Sequence, residues 1–563
     1  MMILPLKKHI YCGIISTTAQ NDETVTKRGV IMQDIVLNQV GFLPEMQKTA
    51  VFRGGCADNE FEMVDALCGA VIFTGKIGEE RYDPYSGENV RCGDLSPLAA
   101  EGCYFIRTSS GGRSYCFKIA EDIYTDLMTD SIRMMYMQRC GTELDHKHAG
   151  IFAHKPCHTG KAYLYGTDIC VDVSGGWHDA GDYGRYTVAA ALTAAEMMIA
   201  YRVSPQLFSD DTCIPESGNG IPDILDEVRY GLDWLFKMQD SSGGVYHKVT
   251  CAGFPGYVMP DEENDRLILC PLSKTAAGSF AAVMAMAHDC FKAADEEFAA
   301  KCLSAAEKAW EHLMSGKGEL ITRNPDGIIT GAYENSTCVN ETYWAAAQLY
   351  KATGKAKYRA EFDKLANEKV RMGFGWESVG SLGNLAYLGL DKGMADPAVT
   401  EKIRREMIGN AEWCITIADK GGYSVGTENY CWGSSSQVLG CAMQLMMAYE
   451  LTKDRKYYNY ASEQLSYLLG KNPMGICYFT GYGTLSPCHP HHRPSMARDS
   501  AVKGMLVGGP NCNLQDELAK NIFQKTYPAL CYIDHRESYS TNEVDTYWNT
   551  LAVMLLSYII KNK

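Results

Sequence analysis

The sequence predicts a mainly α-helical protein in which an (α/α)6 barrel follows a small all-β sandwich. Short β-like runs occupy about the first ninety residues after position 33, and helix-spaced apolar residues recur from there to position 560. Segment 350–358 is echoed by segment 449–457, and each joins two predicted helices. Because about ten to twelve helices in repeated pairs fit six stacked hairpins, we expect a closed helical barrel.

The β-rich part is predicted to form one compact domain over residues 33–120. Its runs alternate in polarity or are rich in β-branched residues, and Gly, Pro, Asn and Asp turns separate them. The predicted strands lie in segments 34–41, 48–52, 70–75, 103–107 and 114–119. Residues 1–32 show no periodicity, so we expect a disordered lead-in there.

Residues 121–563 are predicted to form the helical domain. The segments with apolar residues at helical spacing are 126–139, 187–202, 222–239, 275–294, 297–314, 342–352, 400–417, 434–451, 457–469 and 544–560. Loops between paired helices collect at one end of such a domain. We therefore expect the loops at 172–186, near 430, at 480–500 and at 534–543 to line a cleft.

The composition and net charge disfavour several classes of binding partner. The 563 residues carry a formal net charge of −15, which disfavours nucleic acid and anionic membrane surfaces but is indifferent to a neutral glucan. The apolar run 551–560 is far shorter than the roughly 20 residues of a membrane span. The 22 cysteines show no disulfide spacing, and segment 10–15 is too short and polar for a signal sequence. We expect a cytoplasmic protein, with secretion as the alternative; the sequence leaves the oligomeric state open.

The stretch 172–186 holds two carboxylates three residues apart, Asp179 and Asp182, between the aromatic residues Trp177 and Tyr183. Its glycines allow sharp turns and close approach of the backbone to a ligand. Acids beside aromatic rings suit a sugar, because the ring stacks on the aromatic face while its hydroxyls bond the carboxylates. The alternative is that both aspartates merely cap the helix that follows.

A second stretch places Glu543 where a loop meets the last apolar helix, among Tyr539, Tyr547 and Trp548. Aromatic surroundings remove water from a carboxyl and raise its pKa, so that it can hold a proton near neutrality. A general acid that protonates a departing sugar oxygen needs that property. The alternative is an ordinary acid at a helix N-terminus.

A third stretch, 480–494, carries His491 and Arg493 between Pro490 and Pro494. Alternate residues of an extended loop face the same way, and the prolines stiffen it. Imidazole and guanidinium groups would donate hydrogen bonds to sugar hydroxyls. The alternative is a histidine-rich metal tract.

Together these stretches resemble glycoside hydrolase family 9, the inverting cellulase family, in the subgroup with an N-terminal immunoglobulin-like domain. Residues 34–44 are similar to the opening of that accessory domain. Gly175-Gly-Trp-His-Asp-Ala-Gly-Asp-Tyr183 resembles the motif of the catalytic base, and Pro490-His-His-Arg493 resembles the family's His-x-Arg signature. Tyr532-x-Asp534 with Asn542-Glu543 resembles the signature of the acid. The resemblance covers residues 33–563.

The resemblance implies a role for each matching residue. Asp182 would be the general base that activates a water, Asp179 would help to bind that water, and Glu543 would be the general acid. The residues expected to hold the sugar are His491, Arg493, Asp534, Trp432 and Tyr539. An inverting enzyme needs its base and acid about 6.5–9.5 Å apart, which leaves room for the water.

Three departures from the family pattern concern the surroundings of the cleft. Leu485 stands where a polar or basic residue is usual, Asp545 where a small one is usual, and Ser435 replaces the asparagine of a Trp-Gly-Ser-Asn loop. They bear on the choice of substrate and leave the three acids in place.

Two metals are predicted. Cys140, Cys157, His158 and His178 offer two thiolates and two imidazoles, a closed tetrahedral set for structural zinc, and the resembling subgroup carries zinc at such positions. Zinc there would brace the loop that bears Asp179. Calcium is the weaker prediction, with oxygen ligands from Glu216, Asn219, Asp223 and Asp226; the alternative is that these acids populate the first turn of a helix opened by Pro222.

We therefore expect an inverting glycoside hydrolase that cleaves β-1,4-glucosidic bonds in cellulose-type glucans or cello-oligosaccharides. No binding module or linker is seen after the helical part, which favours a soluble substrate. The close alternative is an exo-acting β-glucosidase or amino-sugar glycosidase on the same scaffold. A non-catalytic oligosaccharide-binding protein would require the loss of a catalytic carboxylate, and a hydrolase using the Cys/His zinc directly would require an open coordination position.

Overall fold

A computed structural model describes residues 34–563, so the prediction for residues 1–32 lies outside the described residues. The N-terminal part is a β-domain. Its strands are β1 (Ile35–Val36), β2 (Gly41–Phe42), β3 (Thr49–Phe52), β4 (Glu60–Asp65), β5 (Val71–Lys76), β6 (Arg81–Asp83), β7 (Glu88–Asp94), β8 (Gly102–Arg107) and β9 (Phe117–Ile119).

These strands form two sheets, with the orders β1-β3-β7-β6 and β2-β9-β8-β4-β5. Phe52 of the first sheet and Phe61 of the second are both buried, with ring centroids 5.5 Å apart. The alternation of buried and exposed positions along β4, for example, follows from the pleat, which points successive side chains to opposite faces. Two sheets that share an apolar layer make a sandwich, as the short alternating runs predict.

The rest of the described chain is mainly helical. Its helices are α1 (Thr125–Met137), α2 (His146–Ala149), α3 (Thr187–Val203), α4 (Asp223–Lys237), α5 (Lys274–Phe291), α6 (Glu296–Met314), α7 (Val339–Thr353), α8 (Ala356–Leu365), α9 (Gly380–Leu388), α10 (Pro397–Ala418), α11 (Ser434–Thr452), α12 (Arg455–Leu468), α13 (Arg493–Arg498), α14 (Glu517–Ile522), α15 (Tyr539–Asn542) and α16 (Thr546–Lys561).

The long helices pack as pairs around a ring. Within residues 34–563, the inner helices follow one another as α3, α5, α7, α9, α11 and α16, and α16 packs back onto α3. Each has an outer partner, respectively α4, α6, α8, α10, α12 and α1. The inner helices are buried on nearly all sides, as in α3 and α16, which explains why their sequences are apolar throughout. The loops at the ends of these pairs can therefore meet.

The predicted helical segments all correspond to helices, but α8 and α9 went unpredicted. The stretch Ala356–Leu365 is mostly charged and buries a narrow stripe, whereas Gly380–Leu388 contains two glycines that weaken any helical pattern. The two echoing segments do join helix pairs. The first ends α7 at a left-handed Gly354, and the second ends α11 at a left-handed Lys453.

A third sheet lies among the loops of the helical domain, where only helices were expected. Its strands are β10 (Ala162–Leu164), β11 (Cys170–Val171), β12 (Arg185–Tyr186), β13 (Lys248–Thr250) and β14 (Ile268–Leu269), in the order β11-β10-β14-β13-β12. Strands of two or three residues are too short to show an alternating pattern. This sheet fixes both ends of the stretch that carries Asp179 and Asp182.

The β-domain also anchors a loop of the helical domain. The side-chain oxygen of Gln39 accepts hydrogen bonds from the backbone N–H groups of Thr484 and Leu485, and its amide donates to the Gly475 carbonyl. Leu485, one of the departures from the family pattern, thus lies against the β-domain. Across residues 34–563, none of the helices combines the length and apolar character needed to cross a bilayer.

Candidate active site

The loop before α3 presents Asp179 and Asp182. Left-handed glycines at 175 and 176 turn the chain sharply, with φ of 105° and 78°, before β12 fixes its other end. The Oδ2 of Asp182 accepts hydrogen bonds from the N–H of Gly184 and the hydroxyl of Tyr186, both at 3.3 Å. The N-cap of α3 is Tyr186, without a side-chain cap. The two aspartates therefore do not cap the helix.

Glu543 lies between α15 and α16 in extended backbone and is partly exposed. Its Oε2 accepts a hydrogen bond of 3.1 Å from Nε1 of Trp432. Loss of water contact and the negative charge of Asp182 raise the pKa of Glu543 to about 8, while Arg493 opposes the shift. The carboxyl can thus carry a proton at neutral pH. The helix itself begins at Thr546, two residues later than expected, because Asp545 accepts from the N–H of Tyr547 as its cap.

The two carboxylate loops touch each other directly. The N–H of Thr546 donates to the carbonyl of Asp179 at 2.9 Å, and the backbone N–H of Gly181 donates to the Glu543 carboxylate. Arg493 joins them from a third loop, because its N–H and its Nη1 both donate to the carbonyl of Gly181, at 3.1 and 2.8 Å. Residues about 360 apart in sequence therefore meet at one site.

His491 and Arg493 lie beside these two loops, although the ring nitrogen that His491 leaves free is an acceptor and not the donor expected from the sequence. His491 forms a bridge with Glu543 through the backbone, and its Nδ1 lies 2.6 Å from the carbonyl of Arg536. A carbonyl only accepts, so Nδ1 carries the hydrogen and Nε2 is left as an acceptor. Burial lowers the pKa of His491 to about 4, which keeps the ring neutral. The histidines of this tract do not gather into a metal-ligand set within residues 34–563.

Two aromatic rings stand beside the acid. Trp432 and Tyr539 are 37% and 36% exposed, and their ring centroids are 5.3 Å apart. Exposed rings next to the Glu543 carboxyl form a surface on which a pyranose can stack.

Both carboxylate oxygens of Asp534 accept hydrogen bonds from within the protein. One of its oxygens accepts from the N–H of Cys488, and the other accepts from the N–H of His489 and from the side-chain amide of Asn542. Asp534 thereby fastens the 488–493 loop beside Glu543. Its direct contact with sugar stays a prediction.

Cys140, Cys157, His158 and His178 form the one group of at least three His, Cys, Asp or Glu side chains, within the described residues 34–563, whose ligand atoms lie within 4.8 Å of one another. The two sulfurs are 4.0 Å apart, and Sγ of Cys157 lies 3.7 Å from Nε2 of His178. Tetrahedral zinc with bonds of about 2.0–2.3 Å holds its ligand atoms roughly 3.3–3.8 Å apart. The two distances are at or slightly above that spacing, and two thiols with two imidazoles are the donors that structural zinc takes, so the set fits this metal after a small inward movement of the side chains.

The tautomer of His158 also fits a metal ligand. Its Nε2 lies 3.0 Å from the carboxylate of Glu263, which accepts the hydrogen. The buried Nδ1 has no hydrogen-bond partner among the described residues. An imidazole that gives one N–H to a carboxylate and turns the other nitrogen inward is the usual arrangement of a zinc-bound histidine. His178 directly precedes Asp179 in the sequence. The cluster therefore supports the base loop, which is the stretch 172–186 that carries Asp179 and Asp182.

The residues predicted for calcium make hydrogen bonds and an ion pair with their neighbours. The carboxylate of Asp223 accepts from the N–H and hydroxyl of Thr212, whereas Glu216 pairs with Arg139 at 2.9 Å. The remaining predicted pair, Asn219 and Asp226, bond each other. These contacts fix a loop and neutralise a buried arginine, and calcium at this position stays a prediction. Asp223 and Asp226 do lie in the first turn of α4, as the alternative reading has it.

The structure adds site residues that no motif indicated. Tyr333 donates to Oδ2 of Asp179, and Tyr186, packed 4.6 Å from it, donates to Asp182. Tyr333 lies in an irregular loop about 150 residues from Asp179, so only the folded chain brings the two together. Glu263 stands in the acid-rich segment 261–265, where its neighbours give no reason to single it out.

Comparison with known proteins agrees with this geometry. Residues 124–556 match the model of Glycosyl hydrolase family 9, and residues 32–113 match that of the cellulase N-terminal ig-like domain. A cellodextrinase from Butyrivibrio fibrisolvens is 37% identical over 555 residues, covering 94% of this chain and 100% of that protein.

Two solved structures are also similar. A single mutant of a thermostable endoglucanase from Alicyclobacillus acidocaldarius has a TM-score of 0.88 and 32% identity, covering 94% of this chain and 99% of that one. A Zn-binding triple mutant of a family 9 endoglucanase has a TM-score of 0.87 and 31% identity, over 92% of this chain and 100% of that one.

Proposed function

The chain belongs to glycosyl hydrolase family 9, and from this premise we propose that it hydrolyses β-1,4-glucosidic bonds of cellulose-type glucans or cello-oligosaccharides with inversion at the anomeric carbon. As a member of that family it is a glycoside hydrolase, so the alternative of a non-catalytic sugar-binding protein is dropped. The observation that carries the proposal is the pairing of Asp182 with a partly exposed Glu543 whose pKa is raised to about 8.

In this mechanism Asp182 and Glu543 act in one displacement. Asp182 takes a proton from a water while the water oxygen bonds to the anomeric carbon. The bond from that carbon to the leaving oxygen breaks, and Glu543 delivers its proton to this oxygen. Asp179, fixed by Tyr333, would hold the water in line. After one turnover Asp182 carries one proton more and Glu543 one proton fewer. Exchange with bulk solvent after product release restores both groups.

The surroundings support binding of a sugar next to this pair. Neutral His491 offers an acceptor, and the exposed rings of Trp432 and Tyr539 offer a stacking surface. Arg493 has already committed Nη1 to Gly181 and Nε to Pro255, so it positions the base loop in addition to any contact with sugar. We further propose that the ring of paired helices is an (α/α)6 barrel, whose loop end forms this cleft.

Zinc is proposed at Cys140, Cys157, His158 and His178. Four protein ligands leave no position for a substrate, so zinc bound there would supply structure and no catalytic step. It would hold the turn from which His178 leads into Asp179. The hydrolase that uses this zinc directly is thereby disfavoured.

Removal of zinc should lower stability before it lowers the intrinsic rate. We expect a strong chelator to reduce the unfolding temperature by several degrees, because metal binding here is part of the folding free energy. The measurement is a thermal unfolding scan with the metal content determined in parallel. A fully folded enzyme that loses turnover at once on chelation would show that the metal is catalytic.

Glu263→Gln provides a sharper form of the same prediction. Loss of the carboxylate behind His158 should weaken zinc affinity about 10- to 100-fold in a competition assay with a metal indicator. Cys302→Ser is the matched control, since Cys302 is buried in α6 outside the ligand set and should leave zinc affinity unchanged.

The preferred substrate is proposed to be a soluble cello-oligosaccharide. The 37% identical relative is called a cellodextrinase, and it is matched along its whole length. Endoglucanases also occur among the similar structures, so the mode of attack requires measurement. An exo-acting β-glucosidase or amino-sugar glycosidase stays the alternative, and a cytoplasmic location stays a prediction.

The products formed from cellopentaose, followed by NMR at the anomeric protons, test substrate, mode and stereochemistry together. We expect cleavage with α-configured new reducing ends in the first turnovers. Release of glucose alone from one end would favour the exo-acting alternative, whereas internal cuts would favour an endoglucanase. New β-anomers would contradict the inverting mechanism, and absence of any cleavage would contradict the substrate.

A further inference from the structure

A third aspartate, Asp545, is linked to Asp179 through the hydroxyl of Tyr333. The hydroxyl of Tyr333 lies 2.5 Å from Oδ2 of Asp179 and 3.4 Å from Oδ2 of Asp545. Asp545 is 5% exposed, and its other oxygen accepts the N–H of Tyr547 at the start of α16. The three side chains form a continuous chain, Asp545–Tyr333–Asp179. Asp545 is also a position at which this chain departs from the family pattern.

The number of hydrogens available to Asp545, Tyr333 and Asp179 decides which group donates in each contact. A phenol has one hydrogen to donate, and the shorter contact assigns it to Asp179. The contact between Tyr333 and Asp545 is then a hydrogen bond only if Asp545 supplies the hydrogen. Oδ1 of Asp545 already accepts from Tyr547, which leaves Oδ2 as the oxygen that carries it.

The charges around Asp545 agree with that count. Burial acts first, because loss of contact with water raises the pKa of Asp545 well above its usual range. The negative charge of Asp179 adds to this, as does Glu543 once it is ionised, while the N–H of Tyr547 and the Tyr333 hydroxyl oppose the shift. Arg493 acts on Glu543 from the other side.

The backbone conformation and the packing of the ring both fix the position of Tyr333. Its backbone has φ of 50°, a left-handed conformation that bulky residues rarely adopt. Its ring is packed between Tyr186, at 4.6 Å, and Trp376, at 5.1 Å. Because Tyr186 bonds Asp182, the two adjacent phenols each bond one of the two aspartates.

We propose that Asp545 is a positioning residue that works as a neutral carboxylic acid: it donates to Tyr333 and so fixes the phenol hydrogen on Asp179, which orients the attacking water. This inference rests on the proposed function for the role of the water. The protonation of Asp545 and its bond to Tyr333 do not depend on the substrate.

Paired substitutions of Asp545 test the proposal. In Asp545→Asn the amide can donate to Tyr333 and its oxygen can accept from Tyr547, so kcat should stay within about threefold of the wild-type value. Asp545→Ala removes both bonds and should lower kcat about 10- to 100-fold with little change in KM. Tyr333→Phe should show a similar loss, and the Asp545→Ala/Tyr333→Phe double variant should be no worse than either single one.

The pH profile separates a neutral acid from a charged one. If Asp545 is neutral, the alkaline limb of kcat/KM, which Glu543 sets, should lie at the same pH in Asp545→Asn as in the wild type. A shift of that limb to lower pH, or an Asn variant as impaired as the Ala variant, would show that Asp545 acts as an anion and would overturn the proposal. Wild-type kcat in Asp545→Ala would overturn it as well.

An infrared difference spectrum between wild type and Asp545→Asn supplies a readout that needs no substrate. We expect the carbonyl band of a protonated carboxyl to be lost in the variant at neutral pH. Its retention would contradict the proposal even if Asp545→Ala fails to fold. Conversely, a wild type that shows this band and yet cleaves no β-glucan would contradict only the proposed function.

Discussion

Glu543→Gln should lower kcat on cello-oligosaccharides by about 10³- to 10⁴-fold, near the upper end of what a positioned general acid contributes. The amide has almost the shape of the acid, and its oxygen can still accept from Nε1 of Trp432. It has no proton to give to the leaving oxygen. The measurement is kcat and KM on cellotetraose, and we expect KM to change little because the rings of Trp432 and Tyr539, which we propose stack on the sugar, are untouched.

The leaving group provides the control for that loss. An aryl cellobioside with an acidic phenol departs without protonation, so Glu543→Gln should retain a much larger share of the wild-type rate on it. Glu517→Gln, at an exposed glutamate in α14, should behave as the wild type on both substrates. Equal losses of Glu543→Gln on the two substrates would argue against its role as the acid.

The pH profile gives the same assignment independently. Because the pKa of Glu543 is raised to about 8, the acid keeps its proton below that pH and loses it above. Wild-type kcat/KM should therefore fall as the pH rises through about 8, and this alkaline limb should be absent from the residual activity of Glu543→Gln. A limb that persists in the variant would belong to another group.

The sequence predicted the acidic residues of this site but not the tyrosine that bonds one of them. Asp179, Asp182 and Glu543 lie in short motifs whose glycines and aromatic neighbours are visible in a linear chain, and the structure brings the three carboxyls close enough for their charges to interact. Tyr333 lies in a loop without any such pattern. Its contact with Asp179 depends on how α6, α7 and the third sheet place a distant loop, which no local pattern encodes.

The residue types behind the two metal predictions are not equally informative. Thiolates and imidazoles have few other uses in a buried cluster, so Cys140, Cys157, His158 and His178 were informative as residue types. Carboxylates such as Asp223 have many uses, among them loop anchoring and pairing with arginine. Similarly, the bounds of helices with broad apolar faces were predicted to within about three residues, whereas strands of two or three residues carried too little pattern to be seen.

Asp182→Ala should be the other severe variant, with kcat on cello-oligosaccharides lowered by about 10³-fold or more, because the attacking water then has no group to take its proton. The variant also leaves a space beside the anomeric carbon. Azide fits such a space and is already an anion, so it needs no base. We expect added azide to restore turnover of an aryl cellobioside.

The product of that rescue reports the geometry of the site. Azide that attacks from the side of residue 182 forms a bond to the anomeric carbon as the phenol leaves, and gives an α-glycosyl azide from the β-linked substrate. Asp179→Asn is the matched comparison: it should lose rate because its water is less well held, but azide should not restore it, since Asp182 still fills the space. Rescue of Asp179→Asn and not of Asp182→Ala would exchange the roles of the two aspartates. A β-configured azide would place the nucleophile on the other face of the sugar.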